Sequence, residues 1–171
     1  MIDIKEITDP DEKSRVCDAT LKALPRWFGN ADAVAGYTEQ VRHMPFYAAF
    51  YDGAPVGFAA VKVHNLYTAE ICVMGILAEC HRRGIGRRLV NCCENYCITH
   101  KMSFLTVKTL DASRQSASYE KTRLFYLSVG FKPLEVFPLY WDEDNPCLFL
   151  AKYIGGVDSA DGPAAAERET L

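Results

Sequence analysis

The segment His81-Arg82-Arg83-Gly84-Ile85-Gly86-Arg87-Arg88 constrains the fold of this chain most, because two different periodicities meet there. Before it, Thr68 to Leu77 is a run of apolar and β-branched residues that reads as a strand. After it, Ile85, Leu89, Cys92, Cys93 and Tyr96 recur at helical spacing and predict an amphipathic helix over Gly84 to His100. Glycines at such a junction let the backbone turn tightly, and the turn aims several N–H groups and the positive end of the helix dipole at one place. That place is a seat for an anion. Arg82, Arg83, Arg87 and Arg88 surround it. Arginines at a helix start oppose the macrodipole by about 0.3–1 kcal/mol per exposed charge, a penalty that a bound polyanion reverses. The spacing differs from the dinucleotide fingerprint GxGxxG and lacks the Lys-Ser/Thr of a P-loop.

The other elements follow from the same kind of pattern. Ile2, Ile4 and Ile7 alternate with polar residues as a strand, and Asp9-Pro10-Asp11 opens a helical stretch whose apolar spacing runs from Arg15 to Leu24. A second helix is expected from Ala31 to Val41, with the aromatic loop Pro25 to Gly29 between the two. Phe46 to Tyr51 and Pro55 to Val63 read as strands joined by Asp52-Gly53, a strong hairpin signal. A strand at Phe104 to Thr109, a helix at Tyr119 to Val129 ended by Gly130, and strands at Phe131 to Phe137 and Cys147 to Tyr153 complete the order βααβββαβαββ. The expected fold is mixed α/β, with a mainly antiparallel central sheet flanked by helices. Residues 1–154 form one domain in this reading, and residues 155–171, rich in Gly, Ala, Asp, Glu and Ser, form a disordered tail.

The formal net charge of −3 removes any global attraction to nucleic acid or anionic lipid, so recognition of phosphate must be local. No run approaches the roughly 18 apolar residues of a membrane span, and the first residues resemble neither a secretion signal nor a transit peptide. Seven cysteines, an odd number scattered through apolar patterns, point to a reducing, cytoplasmic setting and not to a disulfide framework. Cys93 and Cys97 share a helix face, but no further ligand spacing completes a metal site; both read as small buried hydrophobes.

At the strand-to-helix turn the chain resembles the GCN5-related N-acetyltransferase (GNAT) superfamily, whose acetyl-coenzyme A motif is (Gln/Arg)-x-x-Gly-x-(Gly/Ala). Gly84 and Gly86 match it, with His81 in the Gln/Arg place. A second signature, a helix ending Tyr-x-x-x-Gly-Phe, is matched by Tyr126 to Phe131, and Tyr119 stands where an asparagine is common. The resemblance covers roughly residues 1 to 153. It implies acetyl-coenzyme A as co-substrate, no metal, and a monomer or homodimer. Gly75, Ile76, Leu77, His81, Arg82, Arg83, Gly84, Ile85, Gly86 and Arg87 would hold the coenzyme.

Acyl transfer to an amine of pKa near 10.4 needs a neutral amine, so a base is useful. Glu70 is the sole carboxylate in the strand from Tyr67 to Leu77, shares a face by parity with Cys72 and Met74, and matches the glutamate base of the histone-acetylating branch. Tyr126 resembles the family's general acid. A backbone N–H between Met74 and Ile76 would meet the oxyanion, and Gly75 permits a bulge there. The acceptor, a primary amine of a small molecule or peptide, is expected between the Trp27-Phe28 loop and a hairpin loop over Tyr140 to Asn145 that contains Trp141. His43 and His64 read as ordinary element-end residues. Two other readings stay open: a catalytically silent coenzyme-A-binding sensor or interaction module, and nucleotide or nucleic-acid phosphate binding by the Arg82 to Arg88 cluster, which the acidic remainder disfavours.

Overall fold

The computed structural model describes residues 1–155. All but the first residue of the expected tail lies outside them. The elements are β1 (Ile2–Glu6), α1 (Pro10–Lys22), α2 (Ala31–Gln40), β2 (Phe46–Tyr51), β3 (Ala54–Val63), β4 (Thr68–Ile76), α3 (Ile85–Thr99), β5 (Phe104–Leu110), α4 (Ala117–Ser128), β6 (Lys132–Asp142) and β7 (Asn145–Tyr153). This is the order expected from the sequence.

Local chemistry sets the boundaries. Helix α1 begins earlier than its apolar spacing suggests, because Asp9 accepts the Glu12 N–H at 2.7 Å and Pro10 occupies the first turn. Asn30 caps α2 by accepting the Ala33 N–H at 3.1 Å, and Ser116 caps α4 by accepting the Tyr119 N–H at 3.4 Å. Asp52 and Gly53 have φ of 49° and 83°, the left-handed pair that a two-residue hairpin between β2 and β3 requires.

The seven strands lie in the order β1-β2-β3-β4-β5-β7-β6, and only β4 and β5 run parallel. Helices α1 and α2 cover one face, where Cys17, Leu21 and Val34 meet Phe46, Phe58 and Val73. The rings of Phe46 and Phe58 stack at 4.9 Å. Helix α3 covers the other face, where Ile85, Leu89 and Cys93 meet Ile71, Leu105, Val107 and Leu150. Each such side chain removed from water contributes about 1.5–3 kcal/mol, so the sheet is held from both sides. Cys93 and Cys97 are fully buried free thiols in the α3 core.

Two departures from regularity create the site. Strand β4 pairs with β5 only from Thr68 to Ile71, opposite Phe104 to Val107, and beyond this the two strands part. The register of β3 on β4 also shifts, with Ala60 opposite Val73 and Val61 opposite Ile71. The bulge therefore lies at Ile71–Val73 and not at Gly75. Gly75 is a glycine for another reason: a Cβ there would sit 3.1 Å from Thr20 Cγ2 and 3.2 Å from Leu24 Cδ1, so it lets α1 close on the sheet. The bulge also ends the expected parity, because Val73 joins the core under α1 while Met74 packs against the core under α3.

The last hairpin differs from expectation as well. Residues Tyr140 to Asn145 are mostly not a loop, since β6 runs to Asp142 and the ladder resumes with Asp142 opposite Asn145. Between Phe137 and Asp142 the register shifts, around Pro138, which has no N–H to give.

Candidate active site

Where β4 and β5 part, a cleft of about 1020 Å³ opens through the sheet. Its walls come from β4 (Cys72 to Ile76), β5 (Val107 to Leu110), the start of α3, the inner side of α4, the loop between α1 and α2, and the β6–β7 hairpin. Past Ile71 the β4 groups that would have bonded β5 have no ladder partner among the described residues. They form an open backbone edge inside the cleft.

The turn before α3 is built to leave donors free. Gly84 is the N-cap with φ of 76° and no side-chain cap, unlike the starts of α1, α2 and α4. The first helical bond of α3 runs from the Arg88 N–H to the Gly84 carbonyl at 3.2 Å. The N–H groups of Ile85, Gly86 and Arg87 thus have no intrahelical partner, and all three residues line the cleft. A Cβ on Gly86 would stand 2.9 Å from Phe125 Cζ, so only glycine lets α4 lie this close. His81 donates from Nε2 to the Ile76 carbonyl at 2.8 Å and packs its ring edge-on to Trp27 at 5.9 Å. These contacts tie the turn to the end of β4 and to the α1–α2 loop.

Of the four arginines, Arg82 and Arg87 line the cleft. Arg83 does not, because its guanidinium stacks on Tyr51 at 5.6 Å, and Arg88 donates to the Ile2 carbonyl at 2.9 Å. Leu77 is also outside the lining; its N–H donates to the Val56 carbonyl at 2.9 Å and its side chain packs against the α3 core. Gly75, Ile76, His81, Arg82, Gly84, Ile85, Gly86 and Arg87 all line this one cleft.

Trp27, Phe28 and Trp141 also meet at the cleft. Trp27 is fastened across it: its Nε1–H donates to Thr122 Oγ1 at 3.1 Å and its carbonyl accepts from the Tyr119 hydroxyl at 2.8 Å. The α1–α2 loop is therefore strapped to α4. Of the three acids near Trp141 only Asp142 reaches the lining, and its oxygens are taken by the Asp144 N–H and Asn145 Nδ2 of the tight turn.

Tyr126 is 6% exposed and lines the cleft. Its hydroxyl has no hydrogen bond among the described residues, and burial pushes its pKa up, so it holds its proton throughout the neutral range. Thr109 Oγ1, on β5 in the same lining, is buried without a partner among the described residues. A buried orphan hydroxyl beside free backbone donors and an open strand edge suits a long polar ligand with a phosphate at one end. Coenzyme A, with its amide-bearing arm and pyrophosphate, fits that donor set.

Glu70, also 6% exposed, is not in the cleft lining. Its Oε2 accepts from Lys108 Nζ at 2.7 Å and from His64 Nε2 at 2.5 Å, while Oε1 has no bond among the described residues. Lys108 stands between Glu70 and the cleft and lines it. Burial lowers the Lys108 pKa, but the hydrogen bond and charge of Glu70 outweigh this and raise it, so the ammonium persists. Sequence reasoning passed over Lys108 and took His64 for an ordinary strand-end residue. The signal for Lys108 was present: it is the only charged residue of β5, as Glu70 is of β4.

A family model described as acetyltransferase (GNAT) family matches residues 4–131. The chain belongs to this family. Three solved structures share its fold. One, assigned to the GNAT family and from Desulfovibrio desulfuricans, aligns with a TM-score of 0.75 at 15% identity over 91% of this chain and 100% of that one. An aminoglycoside 6'-N-acetyltransferase complexed with coenzyme A aligns at 0.72 with 21% identity over 90% and 97%. The ribosomal-protein-S18-alanine N-acetyltransferase from Escherichia coli aligns at 0.71 with 16% identity over 95% and 99%. A comparison with curated protein sequences gives no match. Among the described residues, no helix is long and apolar enough to cross a membrane.

Proposed function

We propose that this GNAT protein transfers an acetyl group from acetyl-coenzyme A to a primary amine of a small molecule or peptide. The observation that carries the reading is the uncapped start of α3 opening directly into the cleft between the parted strands β4 and β5. Acetyl-coenzyme A supplies an activated acetyl thioester. The free N–H groups of Ile85, Gly86 and Arg87 and the guanidiniums of Arg82 and Arg87 bind its pyrophosphate, while Thr109 and the open edge of β4 bind its arm.

Each side chain then has a definite task. Tyr126 carries the proton needed where the acetyl group leaves its thiol, and the backbone between Met74 and Ile76 supplies N–H donors for carbonyl oxygen as negative charge develops on it. Glu70, which lies behind Lys108 and outside the cleft lining, takes the amine's proton by way of a water and not by direct contact. Trp27, Phe28 and Trp141 enclose the acceptor and exclude water.

Release of free thiol from acetyl-coenzyme A, measured across an amine panel, tests the activity. Glu70→Gln tests the base: the maximum rate should fall roughly 10²–10⁴-fold and the acidic limb of the pH–rate profile should disappear. An unchanged profile with a loss only of stability would leave Glu70 as the partner that holds Lys108.

A further inference from the structure

A second cavity, of about 390 Å³, adjoins the cleft and shares Lys108 with it. Its walls include Phe137, Tyr140 and Phe149, and its rim includes Asn65 and His64. None of these residues has a part in holding the coenzyme. The cavity begins at the lysine beside the proposed base, which is where the part of an acceptor beyond its reacting amine must go.

The nitrogen groups here, Lys108 and Asn65, offer donors in excess, beside the hydroxyls of Thr68 and Thr106. Lys108 Nζ carries three N–H bonds, of which Glu70 Oε2 takes one, while Tyr140 and Phe149 face the ammonium with ring centroids at 5.3 and 5.6 Å. Asn65 accepts the Tyr67 N–H on Oδ1 at 2.8 Å, which turns Nδ2 outward with no bond among the described residues. The one carboxylate at the junction, Glu70, already answers the lysine and receives His64 as well. A polycation finds no unmatched negative charge in such a place. A carboxylate finds an ammonium and an amide N–H, and an apolar or aromatic group finds three aromatic walls.

We propose that this cavity is the acceptor's specificity pocket, and that it selects an amine bearing both a carboxylate and an aromatic or branched apolar group. Lys108 binds the carboxylate, and Phe137, Tyr140 and Phe149 hold the apolar group. The inference rests on the acetyl-transfer reading and narrows its acceptor class. It also separates this chain in chemistry from relatives in fold that act on aminoglycosides, which are polycations.

The test compares three acceptors by thiol release with the full chain: phenylalanine, 2-phenylethylamine, which has the same ring and amine without the carboxylate, and spermidine. The expected kcat/KM for phenylalanine exceeds that for 2-phenylethylamine by about tenfold to a hundredfold, the range for one hydrogen bond to a charged group, with spermidine lowest. Lys108→Met should bring the ratio of the first two toward one, and Lys108→Arg should retain it. Should Lys108→Met fail to fold, the wild-type ratio and its reduction in Asn65→Ala decide the matter. A wild-type ratio near one, a preference for spermidine, or no release with any of the three while acetyl-coenzyme A still raises the melting temperature would overturn the pocket assignment alone. Absence of that thermal shift would overturn the donor reading beneath it.

Discussion

Two helix ends marked by glycine carry the two signatures, and they are built on opposite principles. At the start of α3, Gly84 with φ of 76° turns the chain in and leaves three N–H groups without partners in the helix. At the end of α4, Gly130 with φ of 99° turns the chain out and leaves almost nothing open. The Phe131 N–H bonds the Tyr126 carbonyl and the Gly130 N–H bonds the Leu127 carbonyl, each at 3.1 Å, and the Tyr126 and Phe131 rings meet at 5.5 Å. This is the Schellman closure with its hydrophobic contact. The first end keeps its bonding capacity for a ligand, and the second uses it on itself. Tyr126 belongs to both worlds: its ring and backbone are locked into the closure, while its hydroxyl, free of protein partners among the described residues, borders the cleft.

That division gives Tyr126→Phe the largest effect. Phenylalanine keeps the ring that the closure needs and removes only the proton, so turnover should fall about 10²–10⁴-fold while coenzyme affinity and melting temperature stay near wild type. An unaltered rate would return this residue wholly to the closure. Next comes Gly84→Val. A Cβ at Gly84 meets nothing within 4 Å, so the damage is conformational, about 1–2 kcal/mol for a left-handed non-glycine residue. Reorienting the free N–H groups should also abolish the coenzyme-induced stabilisation, which for the wild type is about 2.7 kcal/mol at a hundredfold excess over Kd. Gly130→Ala carries similar backbone strain, about 1–2 kcal/mol, and its Cβ would press at 3.2 Å on Cε of Lys152, whose ammonium is held by Glu94 and the Val129 carbonyl. Its coenzyme shift should nevertheless equal that of the wild type. Thermal melts of both glycine variants, with and without acetyl-coenzyme A, test the contrast directly; equal ligand effects in the two would break it.

The same contrast shows what was legible in the sequence. Element order and both glycine ends were readable, because hydrophobic period and positive-φ residues are local signals. The bulge was misplaced because a glycine in a strand serves either irregularity or close approach, and Gly75 serves the second, under Thr20 and Leu24. The extent of β6 was underread because its acids and Pro138 look like a loop, although the ladder closes again at Asp142 and Asn145. Glu70 stood out as an isolated acid, but its partners lie 6 and 38 residues away, and no local pattern encodes that pairing. The arginines were overcounted for a similar reason: which of them reach the cleft depends on Tyr51 and Ile2, which come from strands β2 and β1, distant in sequence, at one edge of the sheet.

Arg87 offers the smallest effect and a decisive sign. It sits in the first turn of α3, where a positive charge opposes the helix dipole and no acidic residue compensates within that turn. Its one side-chain hydrogen bond among the described residues, to the Ser128 carbonyl, is long at 3.4 Å and exposed, so little is lost when the charge goes. Arg87→Gln should therefore stabilise the ligand-free protein by about 0.3–1 kcal/mol and at the same time weaken acetyl-coenzyme A binding, more so at low salt, where the charge acts farther. Opposite signs in the free and bound forms are the mark of a charge placed for a ligand. Titration calorimetry beside urea melts of both proteins reads the two signs separately. A variant less stable without ligand and unchanged in affinity would take the Arg87 side chain out of the pyrophosphate site and leave phosphate binding to the free N–H groups of α3 and to Arg82.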